Sequence, residues 1–327
     1  MNPKVSILIP CYNAEKWIAQ AIESALNQTY PYKEVIIVDD GSTDRSLEVI
    51  KGFGNSIYWE TRENRGGNIA RNRLLEISTG EWIQYLDADD YLLLTKIEKQ
   101  INFLEQVSCI DIIYSPSILE YWETEMVKQE ILPISEPHDP WILLALWQLP
   151  QTGSPLWKKQ ALLDVGKWKI NQPVCQEHEL YLRLLKGGKK FAYFHDSGSV
   201  YRQWSESTLC KKDKTLTYQH RSEITDDLES YLKLINELNN ERLYAINKSR
   251  FDCARIIWLF NRTWAKSIIR KIHESEHDFQ LPSSTVPKLY QIIYHYWGFE
   301  AAEITAKLKR QVLGLTQYII KYAKGKI

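Results

Sequence analysis

The chain has 327 residues, too many for one small core and about right for two domains, or for one large domain with an appendage. Its 44% hydrophobic and 25% charged content is that of an ordinary globular protein, and 41 Lys and Arg balance 41 Asp and Glu. With zero net charge, no overall field argues for a nucleic-acid partner.

The charge is nevertheless uneven. Residues 211–327 carry 20 Lys and Arg against 13 Asp and Glu, and residues 1–210 carry 21 against 28. This step predicts two regions, 1–210 and 211–327. Cys11, Cys109, Cys175, Cys210 and Cys253 are scattered, odd in number and never in a Cys-x-x-Cys pair, which favours a reducing compartment and buried thiols. The start shows no signal-peptide apolar core, and no run of about 18 apolar residues occurs. The expected home is the cytoplasm.

In chain order, Val5–Ile9 is an apolar run that reads as a strand buried on both faces and ended by Pro10. A helix is expected over Ala14–Asn27, with Trp17, Ile18, Ala21, Ile22, Ala25 and Leu26 on one stripe. Glu34–Val38 is a second buried strand, and it ends in acid at Asp39 and Asp40. Gly41 then supplies a turn, and Ser42 or Thr43 is expected to cap a helix carrying Leu47, Val49 and Ile50.

Ile57–Glu60 reads as a third strand, followed by a basic, glycine-containing loop over residues 62–68 and a helix over Ala70–Ile77 closed by Gly80. Glu81–Leu86 alternates polar and apolar residues and runs into Asp87-Ala88-Asp89-Asp90. Strands alternating with helices at this spacing indicate βαβ units, whose ligands bind beyond the carboxyl ends of the strands. Packing three carboxylates there is costly unless a cation or hydrogen-bond donors compensate. A divalent cation, Mn²⁺ or Mg²⁺, suits such an oxygen-only site together with substrate phosphates. Arg62, Arg65, Arg71 and Arg73 are candidates to neutralise phosphate oxygens. Neither a Gly-x-Gly-x-x-Gly nor a P-loop pattern occurs, which argues against a dehydrogenase or a P-loop NTPase.

Three stretches in this order resemble family 2 glycosyltransferases of the GT-A fold: Val5 to Asp44, Asn64 to Asn72, and Gly80 to Asp90. The resemblance implies an α/β GT-A fold with a mixed sheet flanked by helices, and a nucleoside-diphosphate sugar as donor. It also implies roles for matching positions. Pro10, Tyr12 and Asp39 would hold the nucleoside, and Arg71 would lie near the diphosphate. Asp87, Asp89 and Asp90 would serve ribose, sugar and metal, with Asp89 and Asp87 as the metal ligands.

Residues 95–107 read as a helix and Cys109–Tyr114 as a strand, after which the chain becomes aromatic and proline-punctuated. Trp122, Trp141, Trp147 and Trp157 suit core packing ahead of sugar stacking. Gly153 to Trp157 and Leu162 to Trp168 resemble the family segment lining the acceptor side. Gln176-Glu177 opens a helix where the family usually has Glu-Asp, so the resemblance gives Glu177 the role of general base, with Glu179 as the competitor. After Val200-Tyr201-Arg202 many members carry a His; here Gln203-Trp204 stands instead, and His195 suits a structural role better than that of a third metal ligand.

Beyond about residue 213 only helical spacing remains, in stripes such as Ile224, Leu228, Tyr231, Ile235, Leu238 and Ile304, Leu308, Val312, Leu315, Ile319. His273-Glu274-Ser275-Glu276-His277 matches a zinc-protease spelling but lies in a polar stretch with no clear third ligand. The last helix carries Lys307, Lys309, Arg310, Lys321, Lys324 and Lys326 beside its apolar stripe. Such a helix can contact the inner membrane surface, form a homodimer, or simply present a solvated face.

The expectation is therefore an inverting, metal-dependent glycosyltransferase. Its acceptor would be a carbohydrate or glycolipid hydroxyl in polysaccharide or glycolipid synthesis, with no nucleic-acid partner. A nucleotidyltransferase and a non-catalytic sugar-nucleotide-binding scaffold are the alternatives.

Overall fold

A computed structural model describes residues 2–122, 127–204, 213–282 and 286–323, with side chains described through residue 311. It divides into two compact units, Met1–Ile224 and Thr225–Ile327. Cys210, Lys324 and Lys326, and the side chains of Val312, Leu315, Ile319 and Lys321, lie outside the described residues.

The first unit opens with β1 (Val5–Cys11), α1 (Ile18–Leu26), β2 (Lys33–Asp39), α2 (Ser46–Gly52), β3 (Tyr58–Thr61), α3 (Gly67–Ile77) and β4 (Trp82–Tyr85). The short β5 (Tyr91–Leu92) and α4 (Lys96–Phe103) follow, then β6 (Ile112–Tyr114) and the hairpin strands β7 (Ser117–Trp122) and β8 (Val127–Leu132). Next come α5 (Pro140–Ala145), β9 (Leu156–Lys158), α6 (Lys159–Asp164), α7 (Gln176–Lys186), β10 (Phe191–Tyr193) and β11 (Ser199–Gln203).

The main sheet has the order β10-β6-β9-β4-β1-β2-β3. β1 pairs in parallel with both β2 and β4, and β9 is antiparallel to β4 and β6, so the sheet is mixed. Ile7, Ile9, Val35 and Ile37 are buried under α1, which contributes Ile18, Ala21, Ile22 and Ala25. A second sheet, β5-β11-β7-β8, takes in the start of the aromatic stretch that sequence patterning left without strands.

Several local expectations need correction. Pro10 does not end β1: it stays in register with Val38, and the strand closes one residue later. The expected helix at Ala14 starts at Ile18, because residues 14–17 form turns. The α2 cap is neither Ser42 nor Thr43. Asp44 Oδ1 instead accepts from the Ser46 amide at 2.9 Å, and Ser42 and Thr43 bind Asn13 of the β1–α1 loop. The predicted turn at Gly41 is real and tight: its φ is +76°, and an added Cβ would sit 2.7 Å from the Asn64 amide nitrogen.

The second unit contains most of α8 (Lys214–Leu234), which runs across the division, then α9 (Asn240–Ile257), α10 (Arg262–Ser275) and α11 (Lys288–Ala323). Ile246, Phe251, Ala254, Ile257, Ala265 and Ile272 are buried within it. Arg250 is itself buried and binds Glu229 and Asp226. The dismissed zinc spelling gains no support: α10 ends at Ser275, and His277 is exposed beside Asp278. Gly298, at φ 77°, breaks α11 into two arms.

Candidate active site

At the carboxyl ends of β1, β2 and β4 lies a cleft of about 390 Å³. Its walls include Pro10, Tyr12, Asp40, Arg71, Asp87 and Asp89, with the glycines of the basic loop and Trp204. The strand pattern makes this meeting inevitable. Parallel β1, β2 and β4 all stop at the same rim, so the loops after each face one another.

Arg71 organises the floor. It is buried, and its guanidinium donates to Asp87 Oδ1 at 2.9 Å and to Gln176 Oε1 at 2.9 Å while lying over the Trp168 ring. Burial opposes its charge, yet Asp87 and then Glu177 hold its pKa above the ordinary value. Arg71 thus joins the acidic loop after β4 to the start of α7. Of the four arginines expected to meet phosphate, it is the one lining the cleft. Arg73 is committed to Glu60, and Arg62 to Asp40.

The two adjacent acids after β2 divide their tasks. Asp39 does not line the cleft: it is buried, taking the Thr61 hydroxyl at 2.7 Å and the Ser42 amide at 3.3 Å. Asp40, noted in the sequence only as an acid at the end of the second strand and given no site role, does line it and accepts the amides of Gly66 (2.7 Å) and Arg65 (3.2 Å). Its carboxylate therefore fixes the glycine loop at the start of α3.

The three aspartates after β4 separate as well. Asp87 and Asp89 are partly exposed to the cleft, but Asp90 is 1% exposed and is not on its wall. Asp90 Oδ1 accepts the Arg202 amide of β11 at 2.9 Å, so this residue, expected with the donor, serves the seam between loop and second sheet. Burial, then Asp89 and Asp87, push its pKa well above the ordinary carboxylate value. Asp89 is raised too, by burial and by Asp87, with the Trp204 indole partly compensating through a 2.9 Å bond to Oδ2.

Among the described residues no group of three or more His, Cys, Asp or Glu side chains is arranged to hold a metal. The pair Asp87 and Asp89 still fits a cation that completes its shell with phosphates. Each retains an oxygen not used by Arg71 or Trp204, and their mutual repulsion is what a cation relieves.

Glu177 stands in the first turn of α7, next to Gln176 and hence beside Arg71. The buried Thr152 hydroxyl donates to its Oε1 at 2.5 Å and leaves the second oxygen uncommitted. The competing Glu179 is buried in a two-bond pair with Arg183.

Sequence reading missed the role of Arg202. This buried residue donates to Glu120 at 3.0 Å and to the Asp89 carbonyl at 3.0 Å, and it also meets Gln20. Its guanidinium lies 4.6 Å from the Trp17 ring centroid and 4.7 Å from that of Tyr91. Only the pairing of β11 with β5 and β7 brings these residues together. The short Val200-Tyr201-Arg202 resemblance was the one available signal.

Residues 6–143 match the family model described as Glycosyl transferase family 2. A glycosyltransferase of Haemophilus influenzae is 44% identical over 108 residues, 32% of this chain and 43% of the relative. The UDP-Glc:alpha-D-GlcNAc-diphosphoundecaprenol beta-1,3-glucosyltransferase WfaP of Escherichia coli is 44% identical over 103 residues, 31% of this chain and 41% of the relative. The chain thus spans less than half the length of these relatives. Among solved structures, S. aureus TarS 1–349 in complex with UDP-GlcNAc aligns over 94% of this chain and 92% of its own, with a TM-score of 0.61 and 16% identity. The mannosyltransferase PcManGT from Pyrobaculum calidifontis, in complex with GDP-Man and Mn²⁺, aligns over 94% and 87% with a TM-score of 0.53 and 15% identity. Residues 6–143 thus match the family 2 glycosyltransferase model, and the chain shares the GT-A fold of its structural neighbours.

Proposed function

We propose that this protein is an inverting glycosyltransferase that moves a sugar from a nucleoside-diphosphate sugar to an acceptor hydroxyl, with Mn²⁺ or Mg²⁺ as cofactor. The observation that carries this reading is the convergence of Tyr12, Arg71, Asp87 and Asp89 on one cleft, with Glu177 adjoining Arg71 through Gln176. Structural neighbours binding UDP-GlcNAc or GDP-Man, and a relative acting on a lipid diphosphate, support the donor class and a polysaccharide or glycolipid acceptor.

In this reading Pro10 and Tyr12 hold the nucleoside, and Asp39 and Asp40 fix the loops that shape its end of the cleft. Asp89 and Asp87 would hold the cation, which would supply positive charge against the diphosphate leaving group. Arg71 keeps Asp87 oriented and adds its own positive charge at the same place. Glu177, steadied by Thr152, takes the proton of the acceptor hydroxyl. That oxygen bonds to the anomeric carbon as the sugar–phosphate bond breaks on the opposite face, so one displacement inverts the centre. The site is expected to act in the cytoplasm. Its C-terminal helices would provide either peripheral contact with the inner membrane surface or self-association.

The test is release of nucleoside diphosphate from a panel of sugar nucleotides with Mn²⁺, in the parent, Asp89→Asn and Glu177→Gln. Both variants should lose transfer by at least about 100-fold. Near-parental transfer in both would remove the assignment, and binding without any turnover in the parent would leave a scaffold.

A further inference from the structure

Within the second unit, the two arms of α11 on either side of Gly298 line a groove of about 250 Å³ with an almost wholly apolar wall. Leu289, Tyr290 and Ile293 come from the first arm, and Ala302 and Ala306 from the second. Tyr290 donates to Glu303 at 2.8 Å, a buried bond that ties the two arms together. The volume is below the range of about 300–1,000 Å³ usual for whole small-molecule sites, which suits the end of a chain better than an entire soluble ligand.

The rim is cationic. Arg255, Lys309 and Arg310 border the groove, while the carboxylate on hand is Glu303, fully buried and paired with Arg255 at 2.9 Å and Arg310 at 3.8 Å. Lys309 forms no ion pair among the described residues. Three cations against one carboxylate leave excess positive charge beside an apolar slot.

The surface of the same arms carries large exposed apolar side chains. Leu289, Ile292 and Tyr296 recur at helical spacing, Trp297 follows, and Leu308 continues on the second arm; Tyr296 and Trp297 are 70% and 68% exposed. Aromatic side chains with one polar atom beside basic residues are the composition that seats in the headgroup region of a bilayer.

We infer that the α11 groove and its border dock on an anionic lipid surface: an acyl chain enters the slot, Tyr296 and Trp297 sit at headgroup depth, and Lys309 and Arg310 meet lipid phosphates. This rests on the membrane alternative of the reading above and chooses it over self-association, because net positive charge on a symmetric face would repel its own copy.

The experiment is co-sedimentation of the full chain with phosphatidylcholine vesicles and with vesicles that also contain phosphatidylglycerol. Leu289→Glu/Trp297→Glu, Lys309→Ala and Arg310→Ala are compared with the parent, alongside light scattering for oligomeric state. The parent should bind the anionic vesicles and not the neutral ones. Lys309→Ala should weaken partition about fivefold, and the double Glu variant should abolish it. Circular dichroism and a thermal shift with UDP and Mn²⁺ confirm that each variant folds and report the donor site separately. Vesicle binding can therefore fail while the transferase reading stands, and the reverse. Equal binding to neutral vesicles, unaltered binding by the double Glu variant, or a dimer that this variant splits would each overturn the inference.

Discussion

The indole Nε1 of Trp204 donates to Asp89 Oδ2 at 2.9 Å, so the residue that follows β11 restrains the carboxylate proposed to meet the cation. The Trp17 ring lies 5.9 Å away, and Arg202, two residues earlier, holds the Asp89 carbonyl. Partners that orient a ligating carboxylate typically cost 10–100-fold in affinity when removed. Trp204→Phe keeps a ring against Trp17 and deletes only the donor. It should weaken Mn²⁺-dependent UDP binding by about tenfold and move the acid limb of that binding to higher pH. The pH shift follows because the lost bond opposed the rise in the Asp89 pKa caused by burial and Asp87. Calorimetric titrations across pH would check both, and unchanged affinity with an unmoved limb would sink the idea.

Arg71→Lys separates charge from geometry. The guanidinium reaches Asp87 and Gln176 at once and lies 4.9 Å from the Trp168 ring centroid, and a single ammonium cannot reproduce that fork. The loss of a bond to a charged group should cost about 2 kcal/mol in urea unfolding. Nucleotide binding should fall with it, because Asp87 is no longer aimed. Parental stability and affinity in the lysine variant would show that charge alone suffices there.

How far these features could be seen in sequence depended on whether their cause was local. β1 and β2 announce themselves because buried parallel strands need continuous apolar runs, β4 does so by alternating polar and apolar residues, and the acids after them must then share a rim. Asp39 and Asp40 could not be told apart that way. Which of two neighbouring acids faces the cleft depends on where β2 stops, and Asp39 proves to be paired across to Cys11 and Thr61. Asp90 looked equivalent to Asp87 until the Arg202 amide, 112 residues away, took its Oδ1. Arg202 gathers Glu120, Gln20 and the Asp89 carbonyl only after three distant strands have paired.

Asp90 is therefore predicted to be a structural group with a cost. Its Oδ2 is buried without a hydrogen-bond partner, and burial raises its folded pKa well above the ordinary carboxylate value. Between the unfolded and folded pKa values the folded state binds the extra proton, so stability falls as pH rises through that window. Asp90→Asn retains the acceptor for the Arg202 amide and removes the charge. Its stability relative to the parent should grow from about pH 4 towards neutrality, and its Mn²⁺-dependent UDP binding should stay within about twofold. A variant that loses nucleotide binding while keeping its fold would return Asp90 to the donor site.

His178 gives the opposite slope. Its ring stacks on Trp147 at 4.0 Å and its Nε2 is buried without a hydrogen bond; burial, with Arg221 nearby, pushes its pKa from the ordinary 6.5 down to about 3. Above about pH 6.5 the imidazole is neutral in both states and contributes no pH dependence. As pH falls below that, the unfolded chain takes up a proton that the folded chain refuses, so the folded state loses stability down to about pH 3. This one group can steepen the acid limb by up to about 1.4 kcal/mol per pH unit. His178→Phe preserves the stack on Trp147 and cannot take up the proton. Urea unfolding from about pH 7 to about pH 4 should show a shallower acid limb in the variant, with the two proteins closest in stability dependence above pH 6.5. Parallel curves through the whole range would mean that His178 is hydrated and titrates normally in the folded protein.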